Sequence, residues 1–216
     1  MGIGEEIRKQ SLIVWAIWAV LFSAFAVAMF QLRWSLAFVS VAAFALTTLP
    51  ILLQSRLGVR LPVSFVAAIA LFIFATIFLG EAADFYNRYW WWDILLHGGS
   101  ALGFGMIGFL AVFMMFEGDR FAAPASAIAF FGFCFAITIG ALWEVFEFGM
   151  DQLFGLNMQK SGLLDTMGDL IVDTVGAAIG SVAGYLFLKG RRFAGLTRLI
   201  RAFIAQNRER FRKLRR

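Results

Sequence analysis

The sequence predicts an all-α integral membrane protein, a six-transmembrane-helix bundle followed by a basic amphipathic helix. Three observations predict this class. Of the 216 residues, 61% are hydrophobic and 15% are charged, whereas soluble domains are about 45–50% apolar and about 25% charged. The mean hydropathy is +0.81. The apolar residues are also concentrated in six segments, each close to the roughly 20 residues that cross the hydrocarbon core of a bilayer.

The six apolar segments cover residues 11–30, 34–53, 61–80, 93–116, 125–153 and 164–188. Short connections between them predict that consecutive helices are antiparallel neighbours in one bundle. The first segment has full helix length and shows no small-residue cleavage site, so it is expected to be a retained helix rather than a signal peptide. Residues 1–190 are therefore predicted to form the transmembrane domain, and residues 191–216 a cytoplasmic tail.

The distribution of basic residues predicts the orientation in a bacterial inner membrane. Cytoplasmic termini would place 16 Lys and Arg residues inside and 3 outside, at Arg33, Arg88 and Lys160. Cytoplasmic loops carry this excess of basic residues in inner-membrane proteins. Both termini are therefore expected in the cytoplasm.

The C-terminal tail is strongly basic and amphipathic. Residues 189–216 contain eleven Lys or Arg residues and one acid, Glu209, with apolar residues at helical spacing between them. A helix of this kind is suited to lie on an anionic membrane surface. Membrane lipids, with anionic headgroups at the tail, are therefore the expected partners rather than nucleic acid; a partner-binding helix is the alternative.

Polar residues recur at helical spacing near the outer ends of the last three segments: Asp93 and His97 on the fourth, Glu144, Glu147 and Asp151 on the fifth, and Asp165, Asp169 and Asp173 on the sixth. Each set lies on one helix face. An ionisable side chain at the bilayer centre costs about 2.5–3.5 kcal/mol even on lenient scales. No basic residue lies on these faces, so the acids require protonation, water or a cation. One outward-facing polar site is the prediction, with separate interhelical hydrogen bonds as the alternative.

Carboxylates and one imidazole are ligands for a divalent metal ion, whose identity the pattern leaves open among Mg²⁺, Mn²⁺, Ca²⁺, Zn²⁺ and Fe²⁺. The candidate catalytic residues are Glu144 and Asp169, because a carboxylate can act as general base beside such an ion. The candidate metal ligands are His97, Asp93, Glu144, Glu147, Asp165, Asp169 and Asp173.

Small residues follow the polar residues along two of these helices. Gly99 and Gly103 are four residues apart, as are Gly176, Gly180 and Gly184. This spacing favours close approach of helix backbones in membranes. Tight packing is therefore expected below the polar site.

Three of these elements carry a resemblance to known families: Asp93-x-x-x-His97, the Glu of Trp143-Glu144, and Asp165-Thr166-Met167-Gly168-Asp169 followed by Gly176-Ala177. In these elements the chain resembles the YjdF-like inner-membrane family and, more distantly, the VanZ-like (teicoplanin-resistance) family. The resemblance covers roughly residues 89–184 and implies a membrane location and a shared polar site. The chain departs from the pattern by placing the aromatic residue before Glu144, and by adding Glu147 and Asp173.

Three functions fit the pattern. A metal-dependent enzyme could act on a lipid or lipid-linked envelope substrate at the outer leaflet. A transporter could carry protons or cations through the acids, although the polar residues end near the midplane and neither inverted repeats nor Pro-broken helices are evident. A non-catalytic binding or assembly factor could use the same site for docking.

Overall fold

The computed structural model describes the backbone of residues 3–215 and the side chains of residues 4–54 and 56–212. Within these residues the chain forms helices and no strands. The elements are, in chain order, α1 (Ile3–Arg8), α2 (Leu12–Phe30), α3 (Trp34–Leu57), α4 (Val63–Ile73) with a π-helical continuation (Phe74–Ala82), α5 (Phe85–Arg88), α6 (Trp92–Met115), α7 (Ala125–Phe154), α8 (Leu163–Leu188), α9 (Leu196–Gln206) and a 3₁₀-helix (Arg208–Arg215).

Six of the described helices are long and apolar enough to cross a membrane: Leu12–Phe30, Trp34–Gln54, Val63–Ala82, Trp92–Met115, Ala125–Phe154 and Leu163–Leu188. The predicted all-α class with six spans is therefore confirmed. Large apolar side chains such as Phe22, Phe38 and Phe130 are exposed on these helices, as expected where lipid is the solvent. The third span differs from a regular helix because it changes from α to π geometry at Phe74.

The chain divides into two compact units, Met1–Trp92 and Asp93–Arg216. The first unit has a core of apolar side chains from α2, α3 and α4, which includes branched residues such as Val14 and Leu21 and alanines such as Ala43 and Ala70. A buried hydrogen bond crosses this core, from Trp18 Nε1 to Thr47 Oγ1 at 3.1 Å. An indole N–H needs such a partner when water is excluded.

The second unit packs α6, α7 and α8 through small residues. Ala101, Ala136 and Ala177 form a buried cluster between these helices. A Cβ atom at Gly180 would overlap the backbone carbonyl of Leu102, and one at Gly176 would overlap the carbonyl of Gly98. The absence of side chains at these glycines therefore lets the backbones of α6 and α8 touch. The packing predicted for Gly176, Gly180 and Gly184 is confirmed.

The packing predicted for Gly99 and Gly103 is wrong. A Cβ atom at either position would meet no described atom of this unit within 4 Å. The contact with α8 instead uses Gly98, Leu102 and Gly105. Gly98 and Gly99 are adjacent in sequence and therefore point about 100° apart around the helix axis. Glycines occur on both of these helix faces.

The C-terminal segment buries apolar side chains against other helices of the second unit. Ile200, Phe203, Ile204 and Phe211 are buried, and the Phe211 ring centroid lies 5.6 Å from that of Phe113 on α6. We expected these side chains to face the membrane surface, but here the aromatic ends of α6 and α8 cover them. The boundary between a domain at residues 1–190 and a tail at 191–216 stays a prediction.

Candidate metal centre

The start of α6 places an acid and the imidazole one helical turn apart. His97 Nε2 lies 3.8 Å from Asp93 Oδ1 and 4.0 Å from Asp169 Oδ2 on α8. All three ligand atoms lie within 4.8 Å of one another. This group, which we call the triad (Asp93, His97 and Asp169), joins two helices through the only histidine of the sequence.

The distances in the triad suit an ion better than direct hydrogen bonds. Hydrogen bonds between nitrogen and oxygen are about 2.7–3.2 Å long, so neither contact of Nε2 is short enough. Metal–ligand bonds of about 2.0–2.6 Å place two ligand atoms at most about 5 Å apart. The triad therefore has the dimensions of a metal site, and its residues fit a divalent cation.

The second nitrogen of His97 faces a different acid. Nδ1 lies 3.5 Å from Asp173 Oδ1, and Asp173 is only 2% exposed. A metal-binding histidine commonly donates its other ring N–H to a carboxylate, which fixes the ring and directs the free nitrogen to the ion. Asp173 has the position for this role, one turn below Asp169 on α8.

Gly140 on α7 makes room for Asp173. A Cβ atom at this position would overlap Asp173 Oδ2. The glycine lies one turn before Glu144, so α7 contributes both a gap and a carboxylate to this region. The sequence analysis missed Gly140, because a lone glycine in an apolar helix carries no signal of the side chain opposite it.

Glu144 is a buried carboxylate whose nearby donors are neutral side chains. Neither of its oxygens has a partner with hydrogen-bond geometry among the described residues. Its electrostatic neighbours include His97 and Asp173, and the side chains of Thr166 and Gln159 lie close to it. Gln159 Nε2 donates to Thr166 Oγ1 at 2.6 Å, which leaves the threonine hydroxyl hydrogen available for another acceptor. Sequence reasoning missed Gln159 and assigned no role to Thr166, although Thr166 lies in the motif from Asp165 to Asp169.

Three further acids of the polar faces have partners of their own. Glu147 accepts a hydrogen bond of 2.9 Å from Trp143 Nε1. Asp165 accepts one of 3.0 Å from the backbone N–H of Lys160. Asp151 accepts from the backbone N–H groups of Met158 and Gln159, at 2.7 and 2.9 Å. The bonds to Asp165 and Asp151 position the loop between α7 and α8, whereas the bond to Glu147 lies within α7. Of the seven candidate ligands, the structure thus groups Asp93, His97 and Asp169, with Asp173 behind the imidazole.

The site is closed on most sides. The side chain of Asp93 is 27% exposed, whereas that of Asp169 is 6% exposed. Lys160 is a basic side chain within electrostatic range of Asp93, and it lies in a loop rather than on the polar helix faces. The accessible edge of the site is therefore at Asp93, the second residue of α6.

Residues 12–190 match the family described as "Predicted membrane protein (DUF2238)". An uncharacterized protein of Thermotoga maritima is 29% identical over 115 residues, which cover 53% of this chain and 58% of that protein. The aligned region thus spans less than two thirds of this relative. No solved structure matches the chain.

Proposed function

The chain belongs to the family described as "Predicted membrane protein (DUF2238)", and on this premise we propose that it is a metal-dependent enzyme of the bacterial inner membrane. Its metal would be a divalent cation bound by Asp93, His97 and Asp169, and its substrate a lipid or lipid-linked envelope component. The main support is the triad, whose three ligand atoms lie within 4.8 Å of one another. The family match agrees with the YjdF-like resemblance, and the VanZ-like resemblance stays a prediction.

The charge of the region supports a bound cation. Glu144, Asp169 and Asp173 are all buried, and they belong to helices that can span a membrane. Unpaired carboxylates are costly in such surroundings. One imidazole cannot neutralise this many acids, so a divalent ion would lower the free energy of the folded state.

The donor set indicates which ions would fit. One imidazole nitrogen with two carboxylates suits Zn²⁺, Fe²⁺ or Mn²⁺ better than Ca²⁺, which takes six to eight oxygens. A cation of this kind can polarise a phosphoryl or carbonyl oxygen and can activate water.

Glu144 is the residue best placed to accept a proton. Neither of its oxygens has a partner with hydrogen-bond geometry among the described residues, its neighbours Thr166 and Gln159 are neutral, and it lies within electrostatic range of His97. We assign it the role of general base, while Asp169 acts as a ligand. The single histidine would serve the metal rather than proton transfer.

The accessible edge at Asp93 supports a lipid-type substrate. Asp93 lies at the beginning of a spanning helix, which is at headgroup level in a bilayer of ordinary thickness. A reacting phosphate or ester of a membrane lipid lies at the same level. A water-soluble substrate would need no site of this kind within a membrane helix.

The proposed orientation has both termini in the cytoplasm and the triad near the outer leaflet, on the basis of 16 basic residues against 3. Cysteine labelling in intact cells tests this after Cys134→Ser. A cysteine introduced by Arg120→Cys should resist an impermeant reagent, and one introduced by Asp84→Cys should react. The opposite pattern would reverse the orientation.

Cation or proton transport is the second candidate. Ser181 Oγ is buried and has no hydrogen-bond partner among the described residues. It lies eight residues after Asp173, on the same face of α8, about 12 Å further along the helix. This hydroxyl extends the polar face beyond the carboxylates, as a conduction path would require.

Reconstituted vesicles separate these functions. The protein, stripped of metal, is placed in vesicles of bacterial inner-membrane lipids, and Mn²⁺ or Zn²⁺ is restored. Mass spectrometry of the lipids measures turnover, and a pH-sensitive dye measures proton flux. We expect metal-dependent turnover that Asp169→Asn abolishes and that Glu81→Gln, a change at an exposed acid near the end of the π-helical segment, preserves.

Other outcomes would overturn the enzymatic proposal. Flux without turnover would favour the transporter. Tight metal binding with neither activity would favour a binding or assembly factor.

A further inference from the structure

A second site lies at the other end of α8. A cleft of about 440 Å³ opens where the end of α8, α9, the 3₁₀-helix and the loop between α6 and α7 meet, and its lining residues are Arg120, Phe187, Gly190, Arg201, Ile204, Ala205, Arg208 and Phe211. Asp173 and Phe187 are 14 residues apart on α8, a separation of about 21 Å along the helix. The cleft is therefore separate from the metal centre.

Three guanidinium groups, those of Arg120, Arg201 and Arg208, surround this cleft. Among the described residues, none of the three has a carboxylate within ion-pair distance. Glu117, an acid of the same loop, accepts a 2.7 Å bond from Arg212 instead. Positive charge thus converges on the cleft without a neutralising group from the described chain.

The floor of the cleft is apolar. Phe187, Ile204 and Phe211 line it and are themselves buried. The Arg120 guanidinium lies over the Phe187 ring, 5.8 Å from its centroid, a cation–π contact that holds this cation at the rim. A ligand that matches the cleft needs an anionic group beside an apolar part.

We propose that this cleft binds one anionic phospholipid, with the phosphate among the three arginines and the first part of the acyl chains on the aromatic floor. Guanidinium groups bind phosphate oxygens in bidentate geometry. The volume is within the range of small-molecule sites, about 300–1,000 Å³, and accommodates a headgroup with part of its chains. A spanning helix that ends at this cleft places it at headgroup depth. The site holds a single lipid, in contrast to diffuse attraction along a basic tail.

Lipid titration of the purified full-length protein in neutral detergent tests this proposal. Native mass spectrometry counts bound phosphatidylglycerol, with phosphatidylcholine of the same chains for comparison. We expect one saturable phosphatidylglycerol per chain, and an affinity at least about 10-fold lower in the triple variant Arg120→Gln, Arg201→Gln, Arg208→Gln. A triple variant of equal charge outside the cleft, Arg191→Gln, Arg198→Gln, Arg210→Gln, should change the affinity less than about 2-fold.

A second pair of variants covers the case in which the triple variant fails to fold. Ala205 is exposed and lines the cleft, whereas Gln206 is exposed and does not. Ala205→Glu should weaken lipid binding several-fold, and Gln206→Glu, with the same charge change, should not.

Three results would overturn the proposal. Equal losses of lipid affinity in a cleft variant and in its control of the same charge would indicate diffuse electrostatic attraction. Equal binding of phosphatidylcholine would remove the role of the arginines. Displacement of the lipid by inorganic phosphate at similar concentration would indicate a phosphate site rather than a lipid site.

Discussion

The two units of this protein differ in the residues that bring their helices into contact. The first, Met1–Trp92, has a core of mixed apolar side chains, from Leu21 down to Ala43, and this core contains a polar pair, Trp18 and Thr47. The second, Asp93–Arg216, has alanines and glycines at its helix contacts. Its buried residues include one histidine and four acids, His97, Glu144, Glu147, Asp169 and Asp173.

The difference indicates what a polar site inside membrane helices requires. Apolar side chains in lipid gain little from burial alone, so helix association depends on close packing and on polar contacts. Glycine contacts between α6 and α8 fix the separation of the helices that carry His97 and Asp169. If these helices met through large side chains instead, the distance between them would depend on the conformations of flexible groups.

The largest expected effect comes from breaking the glycine contact. Gly180→Ala would push a methyl group into the Leu102 carbonyl, a backbone atom that cannot move aside without moving α6. We expect a loss of about 1–3 kcal/mol in stability and weaker metal binding. Thermal unfolding in detergent, followed by metal titration, measures both.

Gly103→Ala is the matched control, because no described atom of this unit lies within 4 Å of the new Cβ. It should be neutral or stabilising by up to about 1 kcal/mol. Equal effects of the two substitutions would show that the glycine contact does not hold the second unit together.

A smaller effect, confined to the metal site, is expected for Gly140→Ala. The added methyl group displaces Asp173 Oδ2, the end of a side chain, so the melting temperature should change little. The imidazole would lose its orienting carboxylate, and metal affinity should fall about 10-fold.

Gly149→Ala on the same helix meets no described atom within 4 Å and should leave the affinity unchanged. Unchanged affinity in Gly140→Ala as well would exclude an orienting role for Asp173.

The smallest effect is expected in the first unit. Trp18→Phe removes the hydrogen bond to Thr47, while the Thr47 hydroxyl keeps its bond of 2.9 Å to the Phe44 carbonyl. No donor is left unpaired, so we expect a loss of about 1 kcal/mol. Metal affinity should stay the same, because the hydrogen-bond and ring partners of Trp18 (Thr47, Trp15 and Phe44) all lie in its own unit. A loss of metal affinity in Trp18→Phe as large as that expected for Gly140→Ala would contradict this expectation.

The spans and polar faces could be predicted because both depend on local periodicity. Helix length and hydropathy located the six spans, and spacing of three or four residues grouped Asp93 with His97 and Asp169 with Asp173. The choice of contact face on α6 could not be predicted, since Gly98 and Gly99 differ only in their rotation around the helix. Nor could the role of Gly140, which depends on a side chain 33 positions away in the sequence.

The same limit applies to the C-terminal helix. Its amphipathic pattern predicted an apolar face but not what covers that face. Lipid and the aromatic side chains of Phe113 and Phe187 are equally apolar, so composition does not distinguish them. The contact between the rings of Phe113 and Phe211 shows that protein side chains cover this face.

Equilibrium dialysis of the metal-stripped protein against Mn²⁺ and against Zn²⁺ tests the central claim most directly. Elemental analysis then counts the ions bound per chain. The account predicts one saturable ion in the wild type, an affinity at least about 10-fold lower in His97→Ala, and no change in Glu81→Gln. An absence of saturable binding in the wild type, or equal affinity in His97→Ala, would contradict it.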